Sequence, residues 1–183
     1  MNTHPLLAFR AEIDDFMRWH PQSPLTHEQA HAFTGLNYYE PNPALVIAAP
    51  IERFDDDEPL IEMQTSTGAS QHFRRWGRVR FQVEGQEAAV TIYTDPSGHS
   101  LFLPFRDATN GDETYGAGRY LDSHRPGLES LAGDRVEIDF NYTYNPYCAY
   151  NENYSCPLPP RENWLRLPIR AGERDFAPHQ ADA

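Results

Sequence analysis

The sequence predicts a mainly β chain: an antiparallel β-barrel or sandwich, preceded by two short N-terminal α-helices and followed by a long C-terminal Asn/Tyr/Cys loop. Three observations carry this. Short runs of alternating apolar and polar residues recur from Ala44 to Phe140 with turn residues between them. Sixteen prolines in 183 residues disfavour long helices. The 13% aromatic share suits pleated sheet faces.

The elements follow in order. Leu6, Phe9, Ile13, Phe16 and Met17 recur at spacings of three and four, which predicts an amphipathic helix over Pro5–Trp19, ended by His20-Pro21. A second helix is expected from about Ser23-Pro24 to Gly35. The stretches LVIAAPIERF, PLIEMQT, SQHFRRW, RVRFQVEG, EAAVTIYTD, SLFLPF, TYGAGRYLD and DRVEIDF each read as a short strand. Val79, Phe81 and Val83 alternate with charged and polar residues, and the register resumes after Gly85-Gln86, which marks a hairpin. Beyond Phe140 the pattern gives way to a loop, and WLRLPIRAGERDF is expected to add one more short strand. The tail after Phe176 is expected to be loose. At this length a single domain is the natural division: a helical arm over about 5–35, a β core over about 44–140, and a folded-back loop and C-terminal segment over about 141–176.

All 15 basic residues are arginine, against 27 acidic ones, for a formal charge of −12. A chain without lysine has no Schiff-base, pyridoxal-phosphate or P-loop lysine chemistry. The acidic balance argues against nucleic acid as a partner. No apolar run approaches the roughly 18 residues that span a membrane. The N-terminus carries no basic region followed by an apolar stretch, so a cytoplasmic location with reduced cysteines is expected. Six arginines (Arg74, Arg75, Arg78, Arg80, Arg106 and Arg119) fall between Phe73 and Tyr120, which points to a local cationic patch.

His27-Glu28-Gln29-Ala30-His31 matches the zinc-protease pattern H-E-x-x-H. The helix is short and no third ligand follows at a known spacing, whereas catalytic zinc needs three protein ligands. No metal site is therefore assigned.

Polar chemistry concentrates in two segments. In the first, Arg106, Asp107, Tyr115 and Arg119 flank a glycine-rich turn. Arg106 and Arg119 could donate to a ligand carboxylate or phosphate, or Arg119 could pair with Asp107 or Asp139 and pin a loop. In the second, Tyr142, Tyr144, Tyr147, Tyr150 and Tyr154 interleave with Asn141, Asn145, Asn151 and Asn153. Phenols and amides together suit a small polar ligand, or satisfy the backbone of an irregular loop. Cys148 and Cys156 lie eight apart and fit neither a C-x-x-C nor a zinc-ribbon spacing. The alternatives are buried thiols, a disulfide, a nucleophile at Cys148, or metal binding with at least one further soft or imidazole ligand.

The segments LPFRDATNGDETYGAGRYLD, DFNYTYNPYCAYNENYSCPLPPRENW and IRAGE, with HPQSPL, FTGLNYY and TSTG before them, make the chain resemble the domain of unknown function 1684 (DUF1684) family of bacteria and archaea. The resemblance covers nearly the whole chain. It implies membership but no particular activity, and the H-E-x-x-H match has no counterpart in the family's pattern.

The function expected is a small domain that binds a polar or anionic ligand, its pocket drawn from Arg106, Asp107, Tyr115, Arg119, Asn141, Tyr144, Asn145 and Cys148. The rivals are an enzyme using Asp107, Asp139, Glu162 or Cys148, and a scaffold domain without a ligand. The sequence names no cofactor and leaves self-association open. The two polar segments are expected to meet, with the loop folded back over the sheet.

Overall fold

The computed structural model describes residues 5–176. The expected loose tail after Phe176 lies outside them. Helix α1 spans Pro5–Trp19 and α2 spans His27–Ala32. The strands are β1 (Val46–Arg53), β2 (Ile61–Gln64), β3 (Ser70–Val83), β4 (Gln86–Thr94), β5 (Leu101–Phe105), β6 (Arg119–Asp122), β7 (Leu128–Leu131) and β8 (Arg135–Asp139). They form one antiparallel sheet in the order β6-β5-β4-β3-β1-β8-β7, with β2 paired to the outer half of β3. The two ends of that path, β6 and β7, are consecutive in sequence and joined only by residues 123–127, so the sheet curls into a nearly closed barrel.

The mainly β expectation holds, and alternation explains it. Val79, Phe81, Val90 and Ile92 all point inward from the β3–β4 hairpin and are buried. Leu103 and Phe105 meet them from β5, and Val136 and Ile138 from β8. Each large side chain so buried contributes roughly 1.5–3 kcal/mol. Glu84 and Gly85 turn the hairpin with φ of 51° and 79°, the two positive values that a two-residue turn matching strand twist requires.

Several boundaries differ from expectation. SQHFRRW and RVRFQVEG are one 14-residue strand, continuous through an irregularity between Arg75 and Gly77. Only the last four residues of TYGAGRYLD form a strand. β7 carries no sequence signal, because Leu128 is the one buried residue in LESL and no alternation shows. WLRLPIRAGERDF forms no strand. Its Leu167, Ile169 and Ala171 fill the barrel core, and the carbonyls of Ile169, Ala171 and Glu173 bond to an arginine side chain rather than to a neighbouring strand.

Helix α2 is shorter than expected and has no buried residue, with Thr26 and Gln29 forming a reciprocal N-terminal cap. Helix α1 buries Leu6 and Met17 as its stripe predicts. Met17 joins Phe33 and Tyr150 in a second small core, so the helical arm packs on the C-terminal loop. No helix among the described residues is long and apolar enough to cross a membrane.

One interior device repairs the sheet. β4 and β5 pair only at Tyr93–Phe102 and Thr94–Leu101, then splay. Asn163, fully buried, fills the gap: its amide donates to the carbonyls of Thr91 and Pro104 at 2.8 Å each, and its oxygen accepts from Thr91 N at 2.7 Å. A side chain thus replaces a missing rung of the ladder.

Candidate functional site

The two polar segments do meet. Tyr120 and Tyr144 exchange backbone hydrogen bonds at 2.9 and 3.1 Å, and the Tyr115 hydroxyl reaches Cys148 Sγ at 3.6 Å. What they build at the centre is a solvent-free network. Arg119, 0% exposed, donates through Nη2 to Asp107 Oδ2 and the Ile169 carbonyl at 2.7 Å each. Its Nη1 donates to the carbonyls of Ala171 (2.7 Å) and Glu173 (2.9 Å). Asp107 in turn accepts from Thr109 N at 2.7 Å, from the Thr109 hydroxyl and from Ile169 N. Both groups face protein on every side. Arg119 therefore pairs with Asp107 rather than Asp139 and pins the segment at residues 169–173.

Asn145 is likewise engaged, donating to Glu173 from its backbone N (3.1 Å) and its amide (3.0 Å) and to the Arg174 carbonyl (2.8 Å). Asn141 clamps Asn42 reciprocally, accepting from its N at 2.7 Å and donating to its carbonyl at 2.9 Å. Tyr144 donates to Asp122 and lies under the Arg125 guanidinium, 3.9 Å from ring centre. Arg106 stacks on the exposed Trp164 at 4.5 Å. Asp107, Arg119, Asn141 and Asn145 are buried, while Arg106 packs against Trp164.

The acidic candidates are also held. Asp139 caps the turn at Phe140–Tyr142. Glu162 pairs with Arg75 at 3.0 Å and Arg78 at 3.7 Å and accepts from the Tyr93 hydroxyl. His27 and His31 are exposed on α2, and no group of three His, Cys, Asp or Glu donors suited to a metal occurs among the described residues.

Two features escaped the sequence. Glu173, 1% exposed, lies between Asn145 and the Tyr150 hydroxyl, and no salt bridge holds it among the described residues. Burial pushes its carboxyl up to about 7. Its only signal was its place in IRAGE.

The second is an open recess of about 500 Å³, walled by residues 38–42 with Arg170 and Arg174. Both polar segments hold that wall from behind. Asn141 fixes Asn42, and Asn145 fixes the Arg174 carbonyl. Glu113 accepts from the Tyr39 hydroxyl at 2.8 Å and from Arg170 through two nitrogens at 2.7–3.0 Å. That arginine holds the Glu113 carboxyl below its ordinary range. Arg174 differs from Arg170. It forms no ion pair among the described residues, its Nε is buried without a partner, and its guanidinium sits 5.2 Å from the Tyr39 ring.

Comparison with known proteins agrees with this architecture. A family model described as "Protein of unknown function (DUF1684)" matches residues 31–174. The solution NMR structure of an uncharacterized protein from gene locus rrnAC0354 of Haloarcula marismortui is similar at 34% identity, with a TM-score of 0.71 over 92% of this chain and 91% of that one. No curated protein matches.

Proposed function

The chain belongs to the DUF1684 family, and from that premise we propose that it is a small polar-ligand-binding β domain whose site is the Tyr38–Asn42, Arg170 and Arg174 recess. The ligand class is a small oxyanion, a carboxylate or phosphate. The observation that carries this is Arg174: a guanidinium at the recess that forms no ion pair among the described residues, with Glu113 near enough to feel its charge but bonded to Arg170. A planar fork of donors beside a phenol ring suits a flat or tetrahedral oxyanion. Arg170 adds field but is already taken up by Glu113. In this reading Asn141, Asn145 and Glu113 position the wall rather than touch the ligand.

The test is calorimetric titration with inorganic phosphate and with citrate. Saturable binding is expected, weakened about 10- to 100-fold by Arg174→Gln, as loss of a charge-assisted pair of hydrogen bonds implies. Arg106→Gln should leave it unchanged. Binding that does not saturate, or that survives Arg174→Gln intact, would overturn the proposal. The scaffold reading draws its support from the engaged, solvent-free state of Arg119 and Asn145, and a null titration would favour it.

A further inference from the structure

The second unusual site is the pair of thiols. Cys148 lies in a tight turn at Tyr147–Ala149, half-buried, and Cys156 is 8% exposed. The backbone N of Cys148 donates to Cys156 Sγ at 3.3 Å, and the Tyr115 hydroxyl donates to Cys148 Sγ. Cys156 is fixed from both sides by Ser66: its N donates to Ser66 Oγ at 3.1 Å, and its carbonyl accepts from Ser66 N at 2.9 Å. Around the pair, Ser66, Thr67 and Ser155 form an exposed hydroxyl rim.

We propose that Cys148 and Cys156 are the nucleophile and the resolving thiol of a two-electron oxidation site whose substrate is a small hydroperoxide. This rests on the thiol geometry and is independent of the oxyanion recess. Exposure sets the order of events: Cys148 is half-buried and open to a small polar oxidant, whereas Cys156 is buried. The surroundings divide the roles in the same sense. Hydrogen bonds from Cys156, then from Tyr115 and Ser66, pull the Cys148 thiol down to about 6, while the bond to Cys148 and burial push Cys156 up. Tyr115, pushed up by burial, stays a protonated donor to the thiolate, which makes it a positioning residue.

The chemistry balances. The Cys148 thiolate attacks one peroxide oxygen, an S–O bond forms and the O–O bond breaks. The proton that Cys148 released returns through water to the departing alkoxide, which leaves as an alcohol. Cys156 then attacks the sulfenic sulfur. An S–S bond forms, the S–O bond breaks, and hydroxide leaves as water with the Cys156 proton. Two thiols are oxidised, and one hydroperoxide is reduced by the same two electrons.

The test uses the full reduced chain and stoichiometric hydrogen peroxide, followed by mass spectrometry and peptide mapping. The wild type should lose two hydrogens as an internal 148–156 disulfide. Cys156→Ser should instead gain one oxygen on Cys148, trapped by a sulfenic-acid reagent, and Cys148→Ser should do neither. Without any variant, limited iodoacetamide at pH 7 should label Cys148 before Cys156 and about two- to threefold faster than an ordinary thiol of pKa near 8.5, the larger thiolate fraction being partly offset by lower nucleophilicity. Tyr115→Phe should move the alkylation midpoint to higher pH. Labelling of Cys156 first, or peroxide reactivity no greater than that of an ordinary thiol, would overturn the assignment.

Discussion

Arg119 Nη2 and Asp107 Oδ2 meet at 2.7 Å with both side chains wholly screened from solvent. Removing one partner of such a pair leaves the other charge buried and alone. Asp107→Asn and Arg119→Met are each expected to cost about 3–5 kcal/mol in urea unfolding. The double variant Asp107→Leu/Arg119→Met should cost less than the sum of the two single losses. Additive losses would show that the pair does not act as a unit.

Asn163→Ala should destabilise by about 3 kcal/mol or more. Three buried backbone groups, on Thr91 and Pro104, lose their partners together. Hydrogen exchange at the Thr91 amide reads this directly: protection there should fall ahead of protection in the β1–β8 pair.

Gly172 has φ of 73°, and a Cβ there would lie 2.6 Å from the Thr143 carbonyl oxygen and 2.8 Å from that of Phe140. Backbone strain of about 1–3 kcal/mol then adds to a collision with main chain that cannot rotate away. Gly172→Ala is expected to lower thermal stability far more than Gly98→Ala, where φ is also positive and the space is open. Equal losses at the two positions would refute the collision.

Glu173 makes stability depend on pH with a sign opposite to that of most carboxylates. Its folded pKa, about 7, exceeds the ordinary 4.5, so between those values the folded state holds the extra proton. Its contribution is complete below about pH 4.5 and is lost as pH rises through 7, by up to about 3 kcal/mol. The lowered Cys148 thiol acts in the other direction above pH 6. Wild type should therefore be compared with Glu173→Gln across pH 5–8, which cancels that contribution. The difference in unfolding free energy should shrink or reverse with rising pH; a flat difference would mean that Glu173 titrates normally.

The barrel was legible because its information is local. Alternation in Arg78–Val83 and Ala88–Ile92 names a face, and Gly85 names a turn. The site was less legible because its partners come from far along the chain. The sequence marks Arg106, Arg119 and Asn145 as unusual, but only folding shows that Arg119 meets residues 169–173 and that Arg106 turns to Trp164. Asn163 and Glu173 carry no periodic signal, since each is a single polar residue inside an irregular segment. The WLRLPIRAGERDF stretch looked like a strand because Leu165, Leu167 and Ile169 alternate. The same alternation serves a segment whose Ile169, Ala171 and Glu173 carbonyls go to one guanidinium.

The Arg119 arrangement also sets a timetable for synthesis. Its strand leaves the ribosome about fifty residues before the carbonyls of Ile169, Ala171 and Glu173 that receive it. Until they arrive, a charged group destined for the interior has only Asp107 of its four acceptors, and the hairpins before it are not expected to seal around it. The nascent barrel therefore stays open until its last core segment has emerged, and a chain halted before Ile169 is a natural target for chaperones and proteases.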